Sequence, residues 1–163
     1  MSTEDNKALV SSFFEEVWNK GNFEYLHEIY SPDFKIHILW YNLAAGGPME
    51  SQGIEPAANV IRGWRDGFPD INVSIEDQIA EGDLVASRHL STATHTNAFQ
   101  GIQPTGKTAV MTGTTLTRIA DGKIVEAWTS WDVLGMMQQL GVAPGGPPPA
   151  HVATPPNLPD DAA

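Results

Sequence analysis

One carboxylate, Asp132, lies where the stretch IVEAWTSWDVLGMMQQLG (residues 124–141) changes from strand-like alternation to helical periodicity. Apolar side chains surround it in the sequence, with Trp128 and Trp131 just before it. If Trp128 faces the protein interior, two-residue alternation places Asp132 on the same face. Burial beside indole rings disfavours the charged form of a carboxyl group and suits it to proton exchange near neutral pH. The pattern therefore indicates a general acid/base.

Asp132 has a second interpretation. It directly precedes VLGMMQQLG, and an aspartate at that position caps a helix by accepting hydrogen bonds from free backbone N–H groups. On the local sequence alone the cap is the commoner role, and a capping carboxylate is solvated. The two roles are compatible, so both are kept as predictions.

Two histidines on strand-like segments, His37 and His95, are candidates to donate a hydrogen bond to a developing oxyanion or to orient a substrate. Either one alone is more simply explained as a histidine satisfied by neighbouring hydroxyls, which STATHT supplies. His89 shares a face with His95, and that face lines a cavity or meets solvent. No catalytic role is predicted for His27, on a helix, or for His151, near the C-terminus.

Large apolar side chains form the second candidate group, as the walls of a pocket for a flat hydrophobic ligand. Each of them alone is more simply explained as core. Five tryptophans in a chain of 163 residues favour the pocket for the group as a whole. The predicted substrate-binding residues are Trp40, Trp64, Phe99, Met111, Trp128 and Trp131.

Composition and motifs argue against several other functions. Zero cysteines exclude disulfides, thiolate metal sites and a cysteine nucleophile. The sequence contains no H-x-H, H-x-x-x-H, G-x-S-x-G or G-x-G-x-x-G pattern, and neither a metal nor a cofactor is predicted. Lys and Arg total 9 against 20 for Asp and Glu, without a basic cluster, which argues against a nucleic-acid partner. No apolar run approaches about 20 residues and no signal peptide is evident, so a cytoplasmic protein without a membrane partner is expected.

Periodicity predicts the order helix, helix, strand, helix and then four antiparallel strands. Residues 4–20 and 54–67 have the apolar stripes of helices, and Asn22 is the expected cap of the short helix between them and the first strand. That strand is FKIHILWY, with Phe34, Ile36, Ile38 and Trp40 sharing one face. NLAAGGPMESQG is predicted to be a loop, and NAFQGIQPTG a longer mobile connection.

This order lacks alternating strand–helix units, so it predicts an α+β fold. We expect a strongly curved, mostly antiparallel sheet packed on three helices, giving a cone around a hydrophobic cavity. The domain is predicted to span residues 1–141. Residues 142–163 are rich in Pro and Gly and are expected to form a flexible tail.

The chain resembles the SnoaL-like polyketide cyclases, also called ester cyclases, of the NTF2-like superfamily. The resemblance runs from about residue 5 to residue 141 and rests on the combination of FPD, AEGD, THT, GI-PTGK and DGKIVE-W---D. It implies the same cone, a deep hydrophobic cavity, no cofactor, and association as a homodimer or homotetramer through the sheet. The implied reaction is an intramolecular aldol condensation on an aromatic polyketide ester.

The resemblance also implies roles for individual residues. It places the acid/base aspartate at Asp132 and the histidines that shape the site at His37 and His95. One departure is the long, apolar connection after the first strand, where Trp40 and Tyr41 narrow the expected pocket, so the substrate could differ from a tricyclic polyketide.

The leading hypothesis is a cofactor-independent cyclase or isomerase that acts on a small hydrophobic carbonyl compound. The alternatives are a non-catalytic protein that binds a lipophilic ligand, and a hydrolase that acts through an Asp-activated water, as some relatives do with epoxides.

Overall fold

The computed structural model describes residues 2–42 and 46–144. Within them the α-helices are α1 (Thr3–Phe13), α2 (Tyr25–Ile29), α3 (Ile54–Gly67) and α4 (Val133–Leu140). The strands are β1 (Tyr30–Asn42), β2 (Gly47–Gln52), β3 (Asn72–Glu81), β4 (Leu84–Thr94), β5 (Thr108–Ala120) and β6 (Lys123–Trp131). They form one curved, unclosed sheet in the order β2-β1-β6-β5-β4-β3. The β1–β6 pair is parallel and the other pairs are antiparallel, so the predicted α+β class is confirmed.

The stretch predicted as a loop after the first strand contains a strand, β2. Ser51 pairs with Ile36 and Met49 pairs with Ile38, so cross-strand pairing outweighs the Gly and Pro content of this segment. β2 is an edge strand, where Pro48 is tolerated because an edge position can do without a ladder N–H. The tail predicted for residues 142–163 lies outside the described residues from 145 onward.

The first predicted helix forms in two parts. Ser2 and Asp5 cap α1 reciprocally, with the Asp5 N–H donating to the Ser2 hydroxyl over 3.1 Å. After α1 the chain continues as a π-helical turn, Phe14–Asn19, that buries Phe14, Val17 and Trp18. The expected cap at Asn22 is wrong, because α2 begins after Glu24 and has no side-chain cap.

The core lies between the helices and the inner face of the sheet. On β4 and β5 every second residue is buried, as the predicted alternation requires. The buried positions of these two strands are Val85, Ser87, His89, Ser91, Ala93, Ala109, Met111, Gly113, Thr115, Thr117 and Ile119. Several of these buried side chains are polar, so this face contains hydrogen-bonding groups as well as apolar packing.

Arg65 joins α3 to the π-helical turn. Its guanidinium donates to the backbone carbonyl of Trp18 and, over 3.3 Å, to that of Asn19. These carbonyls lie at the end of a helix, where backbone acceptors lack partners within the helix. The arginine therefore holds in place the segment that carries Phe14 and Trp18.

Replacing Arg65 by Met should lower the free energy of unfolding by about 2 kcal/mol, because it leaves part-buried carbonyls without their charged donor. Urea unfolding followed by circular dichroism measures the loss. Arg62→Met is the matched control, since Arg62 bonds Glu55 and Asn59 at the surface and its loss should cost less than about 1 kcal/mol. Equal losses in the two variants would contradict the assigned role of Arg65.

Candidate active site

The orientation of the last strand depends on one irregularity in its pairing with β5. Ile119 pairs with Ile124, but the preceding residue, Arg118, pairs with Glu126. Val125 is therefore an extra residue on β6, which is a β-bulge. A one-residue shift exchanges the two faces of a strand, so every residue after Val125 faces the side opposite to that expected from straight alternation.

Because of the bulge, the end of β6 turns toward the interior the face that the sequence predicts to point outward. Thr129 and Trp131 are buried, each 6 % exposed, whereas Asp132 is exposed. Trp128 lies on the outer face, where its ring stacks on His37 with centroids 5.2 Å apart. The prediction that Trp128 and Asp132 face the interior is therefore wrong.

Asp132 caps α4. Its Oδ1 accepts a hydrogen bond from the backbone N–H of Gly135 over 2.9 Å, which confirms the cap predicted from the sequence. The carboxylate lies in a groove on the outer face of the sheet, beside Arg88 and Ser130. It is not among the residues that line the inner cavity, so its catalytic role stays a prediction without a contact to support it.

His37 also lies on the outer face. Its Nδ1 is 2.9 Å from Glu50 Oε1 and its Nε2 is 2.8 Å from Glu126 Oε1. The hydrogen bond to Glu126, and then that to Glu50, raises the pKa of His37, although partial burial opposes the shift. His37 is therefore held in an ion-pair cluster away from the inner face, and the structure does not bring it together with His95.

The inner face of the sheet and the helices enclose a small cavity of about 30 Å³. Its walls are mostly aromatic and aliphatic, with three threonines from β5 and β6 on one side. The lining residues are Phe13, Phe14, Trp18, Tyr30, Ile36, Val60, Ile61, Thr115, Thr117, Ile124, Ala127, Thr129 and Trp131. The cavity is therefore apolar with a strip of hydroxyl groups on one side, and it has room for water molecules or for one narrow group of a ligand.

Two hydroxyls of this strip, those of Thr115 and Thr129, belong to a chain of hydrogen bonds. His89 Nε2 is 3.1 Å from Thr115 Oγ1, and Thr115 Oγ1 is 3.0 Å from Thr129 Oγ1. Trp131 Nε1 donates to Thr129 Oγ1 over 2.9 Å. Gly113 makes room for this chain, since a Cβ there would lie 2.2 Å from Cε1 of His89. The hydroxyls of Thr115 and Thr129 are thus each held by two partners.

His89 is held neutral by its surroundings. It is 1 % exposed and packs against Phe14 and Trp131, with ring centroids 5.1 and 4.6 Å away. Burial lowers the pKa of His89 from 6.5 to about 4. Its Nδ1 is buried and has no hydrogen-bond partner among the described residues.

His95 lies at the end of β4 and belongs to a separate aromatic cluster. It is fully buried, stacks on Phe68 at 5.0 Å, and its Nδ1 is 3.3 Å from the hydroxyl of Thr105. Burial lowers the pKa of His95. It lines neither the cavity nor the cleft described next, and its backbone pairs with Gly106 and Lys107. The contacts indicate a residue that anchors the connection between β4 and β5, and its catalytic role stays a prediction.

An open cleft of about 670 Å³ lies next to the cavity. Trp64 and Phe99 form its aromatic wall, with ring centroids 4.4 Å apart, and Val60 lines both the cleft and the cavity. The other lining residues are Met49, Ser51, Pro56, Asn59, Gly63, Asp66, Ala98 and Gln100. This volume lies within the usual range for small-molecule sites.

The predicted binding residues therefore divide among several places. Trp131 lines the cavity, and Trp64 and Phe99 line the cleft. Met111 is buried on the inner face but lines neither space, and Trp128 is on the outer face. The side chain of Trp40 lies outside the described part of the chain.

Sequence reasoning did not single out the inner residues Phe14, Trp18, Thr115 and Thr129. The threonine at 115 shares strand parity with Met111, a signal that could have found it. His89 was placed on a face that either lines a cavity or meets solvent, and it is buried behind the cavity wall. Among the described residues no group of three or more His, Asp or Glu is arranged to hold a metal ion. No helix of the described part is long and apolar enough to span a membrane.

Comparison with known proteins identifies the family. The family model for SnoaL-like polyketide cyclases matches residues 8–140, so the chain belongs to that family. A comparison with curated protein sequences finds no significant match.

Several solved structures are similar to this chain. One is a candidate SnoaL-like polyketide cyclase from Jannaschia sp. CCS1, which is 26 % identical, with 87 % of this chain and 95 % of that one covered and a TM-score of 0.77. IdmH from Streptomyces antibioticus, a candidate polyketide cyclase, is 34 % identical, with 84 % and 99 % covered and a TM-score of 0.71. AclR from Streptomyces galilaeus, a candidate hydroxylase, is 28 % identical, with 90 % and 87 % covered and a TM-score of 0.74. The likeness extends over nearly the whole described fold.

Replacing Asp132 by Ala should lower the free energy of unfolding by about 1 kcal/mol, because the first turn of α4 loses its cap. Asp132→Asn keeps an acceptor oxygen at the same place, so it should lower the free energy of unfolding by only a few tenths of a kcal/mol. Urea unfolding of the two variants beside the wild type measures the difference. Identical stability of the alanine variant and the wild type would argue against the cap.

The buried, neutral His89 should make the protein less stable as the pH falls from 6.5 toward 4. Over that range the unfolded chain binds a proton at His89 that the folded protein does not, so folding loses about 3 kcal/mol. His95 acts in the same direction. His37 acts in the opposite one, because its raised pKa makes its contribution largest below pH 6.5 and reduces it as the pH rises.

His89→Gln isolates the contribution of His89. Unfolding measured at pH 7 and at pH 4 should show a smaller loss of stability in this variant than in the wild type. His27→Gln, at an exposed position on α2, serves as the control for replacing a histidine outside the core. If both variants follow the wild-type curve, His89 is not the group responsible.

Proposed function

We propose that this protein is a cofactor-independent cyclase or isomerase that acts on a small hydrophobic carbonyl compound, through an intramolecular aldol-type ring closure. The observation that carries the proposal is the apolar cavity with a strip of threonine hydroxyls on one side, next to a cleft of ligand size. Membership in the SnoaL-like polyketide cyclase family supports the same class of reaction.

An aldol ring closure suits such a site because it is an isomerisation. The enol carbon of a 1,3-dicarbonyl unit attacks a second carbonyl carbon of the same molecule, and a C–C bond forms. The enol oxygen gives up its proton and the new alkoxide oxygen takes one, so no proton is gained or lost overall. The cleft has the volume to hold such a molecule folded on itself, and a site that keeps the two carbons close lowers the entropic part of the barrier.

The threonine hydroxyls are placed to assist the carbonyl that is attacked. The bond between Thr115 and Thr129 uses one hydroxyl hydrogen, and Thr129 also accepts from Trp131. When neutral His89 donates from Nε2 to Thr115, the second hydroxyl hydrogen stays free to donate to a ligand oxygen. A fixed donor aimed at a developing alkoxide in an apolar site stabilises the transition state.

The acid/base role of Asp132 is a separate hypothesis. It derives from the family resemblance, and its difficulty is that the carboxylate is exposed and bonded to the start of α4. The hydrolase alternative depends on the same carboxylate activating a water, so the outward position of Asp132 lends it no support. Oxygen-18 from the solvent in the product would be the evidence that supports the hydrolase alternative.

A protein that binds a lipophilic ligand without turning it over is the second candidate. One observation favours it: among the described residues, no carboxylate lines the cavity. Trp18 and Trp131 lie in the cavity wall with ring centroids 5.2 Å apart, so their fluorescence should respond to a bound ligand. Saturable quenching by an aromatic polyketide ester, without any change in that ester, would identify this function.

The hydroxyl strip is tested by ring closure of an aromatic polyketide ester that carries a 1,3-dicarbonyl unit, followed by liquid chromatography. The double variant Thr115→Val/Thr129→Val should reduce kcat about 100-fold, the usual effect of removing an oxyanion donor. Thr115→Ser/Thr129→Ser keeps both hydroxyls and should stay within about threefold of the wild type.

Asp132→Asn belongs in the same assay. If the threonine hydroxyls and not Asp132 assist the reaction, Asp132→Asn should have a kcat close to that of the wild type, because this variant also keeps the cap of α4. Loss of turnover in Asp132→Asn, with the Thr115→Val/Thr129→Val variant still active, would reverse the assignment in favour of the carboxylate. Circular dichroism of each variant verifies that the fold is retained.

A further inference from the structure

The partition between cleft and cavity is built from α3. Val60 lines both spaces, and the next residue, Ile61, lines the cavity but not the cleft. One turn further along, Trp64 lines the cleft, and its ring centroid is 6.1 Å from that of Trp131 in the cavity wall. A ligand that enters from the cleft therefore meets Val60 before it reaches the threonine hydroxyls.

The two spaces differ in what they can hold. The cavity, at about 30 Å³, has room for water molecules or a narrow chemical group. The cleft, at about 670 Å³, has room for a ring system and an aromatic wall in Trp64 and Phe99. The hydroxyls of Thr115 and Thr129 are on the cavity side of this boundary, whereas the cleft has polar groups of its own in Ser51, Asn59, Asp66 and Gln100.

We infer that Val60 is a specificity-determining residue: the ring system of the ligand lies in the cleft, and a narrow arm that bears a carbonyl passes Val60 to reach Thr115 and Thr129. The inference rests on the proposed function for the ligand class, which it specifies as a flat aromatic ketone with its carbonyl outside the ring system. Val60 is suited to this role because a β-branched side chain on a helix has few rotamers, and Val60 packs against the core.

The test uses 2-acetylnaphthalene carrying carbon-13 at the carbonyl, and two readouts: the carbonyl stretching frequency of the bound probe and its affinity from tryptophan fluorescence. In the wild type the stretch should lie at the lower frequency of a hydrogen-bonded carbonyl. Val60→Phe fills the passage, so the stretch should return to the position of a free carbonyl. Its affinity should fall about tenfold, the upper range for one hydrogen bond.

Ile54→Val is the matched control. It removes a methylene from the same helix at a residue that lines neither the cavity nor the cleft, so the frequency should be unchanged and the affinity should stay within about twofold. Val60→Ala provides a second variant should the larger phenylalanine disturb α3. By widening the passage it should admit the longer arm of 2-propanoylnaphthalene, and raise the affinity of that probe about fourfold relative to 2-acetylnaphthalene.

The inference is overturned if the wild-type carbonyl shows no hydrogen-bonded band, if neither probe binds, or if changes at Val60 and Ile54 have equal effects. Its failure is distinguishable from that of the proposed function. A protein that binds the ketone in a Val60-dependent way but closes no ring would retain this ligand site and lose the proposed reaction. Ring closure that is unchanged in Val60→Phe would retain the reaction and reject the role of Val60.

Discussion

The β-bulge at Val125 determines which side chains of β6 face the interior. The residues of β6 before it and after it belong to opposite alternation phases, so Ile124 and Thr129 both face the core although their numbers differ in parity. Through this shift Thr129 comes within 3.0 Å of Thr115 on the neighbouring strand. Without the bulge, the other face of β6 would line the cavity, because a one-residue slip turns every side chain of a strand to the opposite face.

The same constraint separates two histidines of opposite character. His37 meets Glu126 on the outer face, where two carboxylates raise its pKa, while His89 faces the aromatic interior, where burial lowers its pKa. The difference arises from surroundings alone, since both are strand residues paired with β-strand neighbours. Charge is therefore kept on the outer face, and the interior receives a neutral hydrogen-bonding chain.

Local patterns predicted much of the fold. The apolar stripe predicted α3 at its observed bounds, Ile54–Gly67, and alternation predicted the inner face of β1 at Phe34, Ile36 and Ile38. The family resemblance predicted the class of protein. β2 was missed because pairing with β1 is a long-range effect that the Gly and Pro content conceals.

The candidate site was predicted less well, for one physical reason. The sequence KIVEAWTSW contains no glycine or other clear local sign of a bulge, so the side of the sheet that its last residues face can be known only from its register with β5. Asp132 shows the consequence: its local role, the cap of α4, depends on neighbouring backbone and was predictable, whereas its facing depended on Val125 and was not.

The neutrality of the interior limits the chemistry that this site can support. A reaction that left a full charge in the cavity would meet the same penalty that keeps His89 unprotonated, with no opposite charge among the described lining residues to offset it. A reaction that moves a proton between two oxygens of one ligand avoids that penalty, because hydroxyls can donate on one side as they accept on the other. For the proposed ring closure, the hydrogen-bonded threonines therefore suit an isomerisation better than chemistry that leaves a charge in the interior.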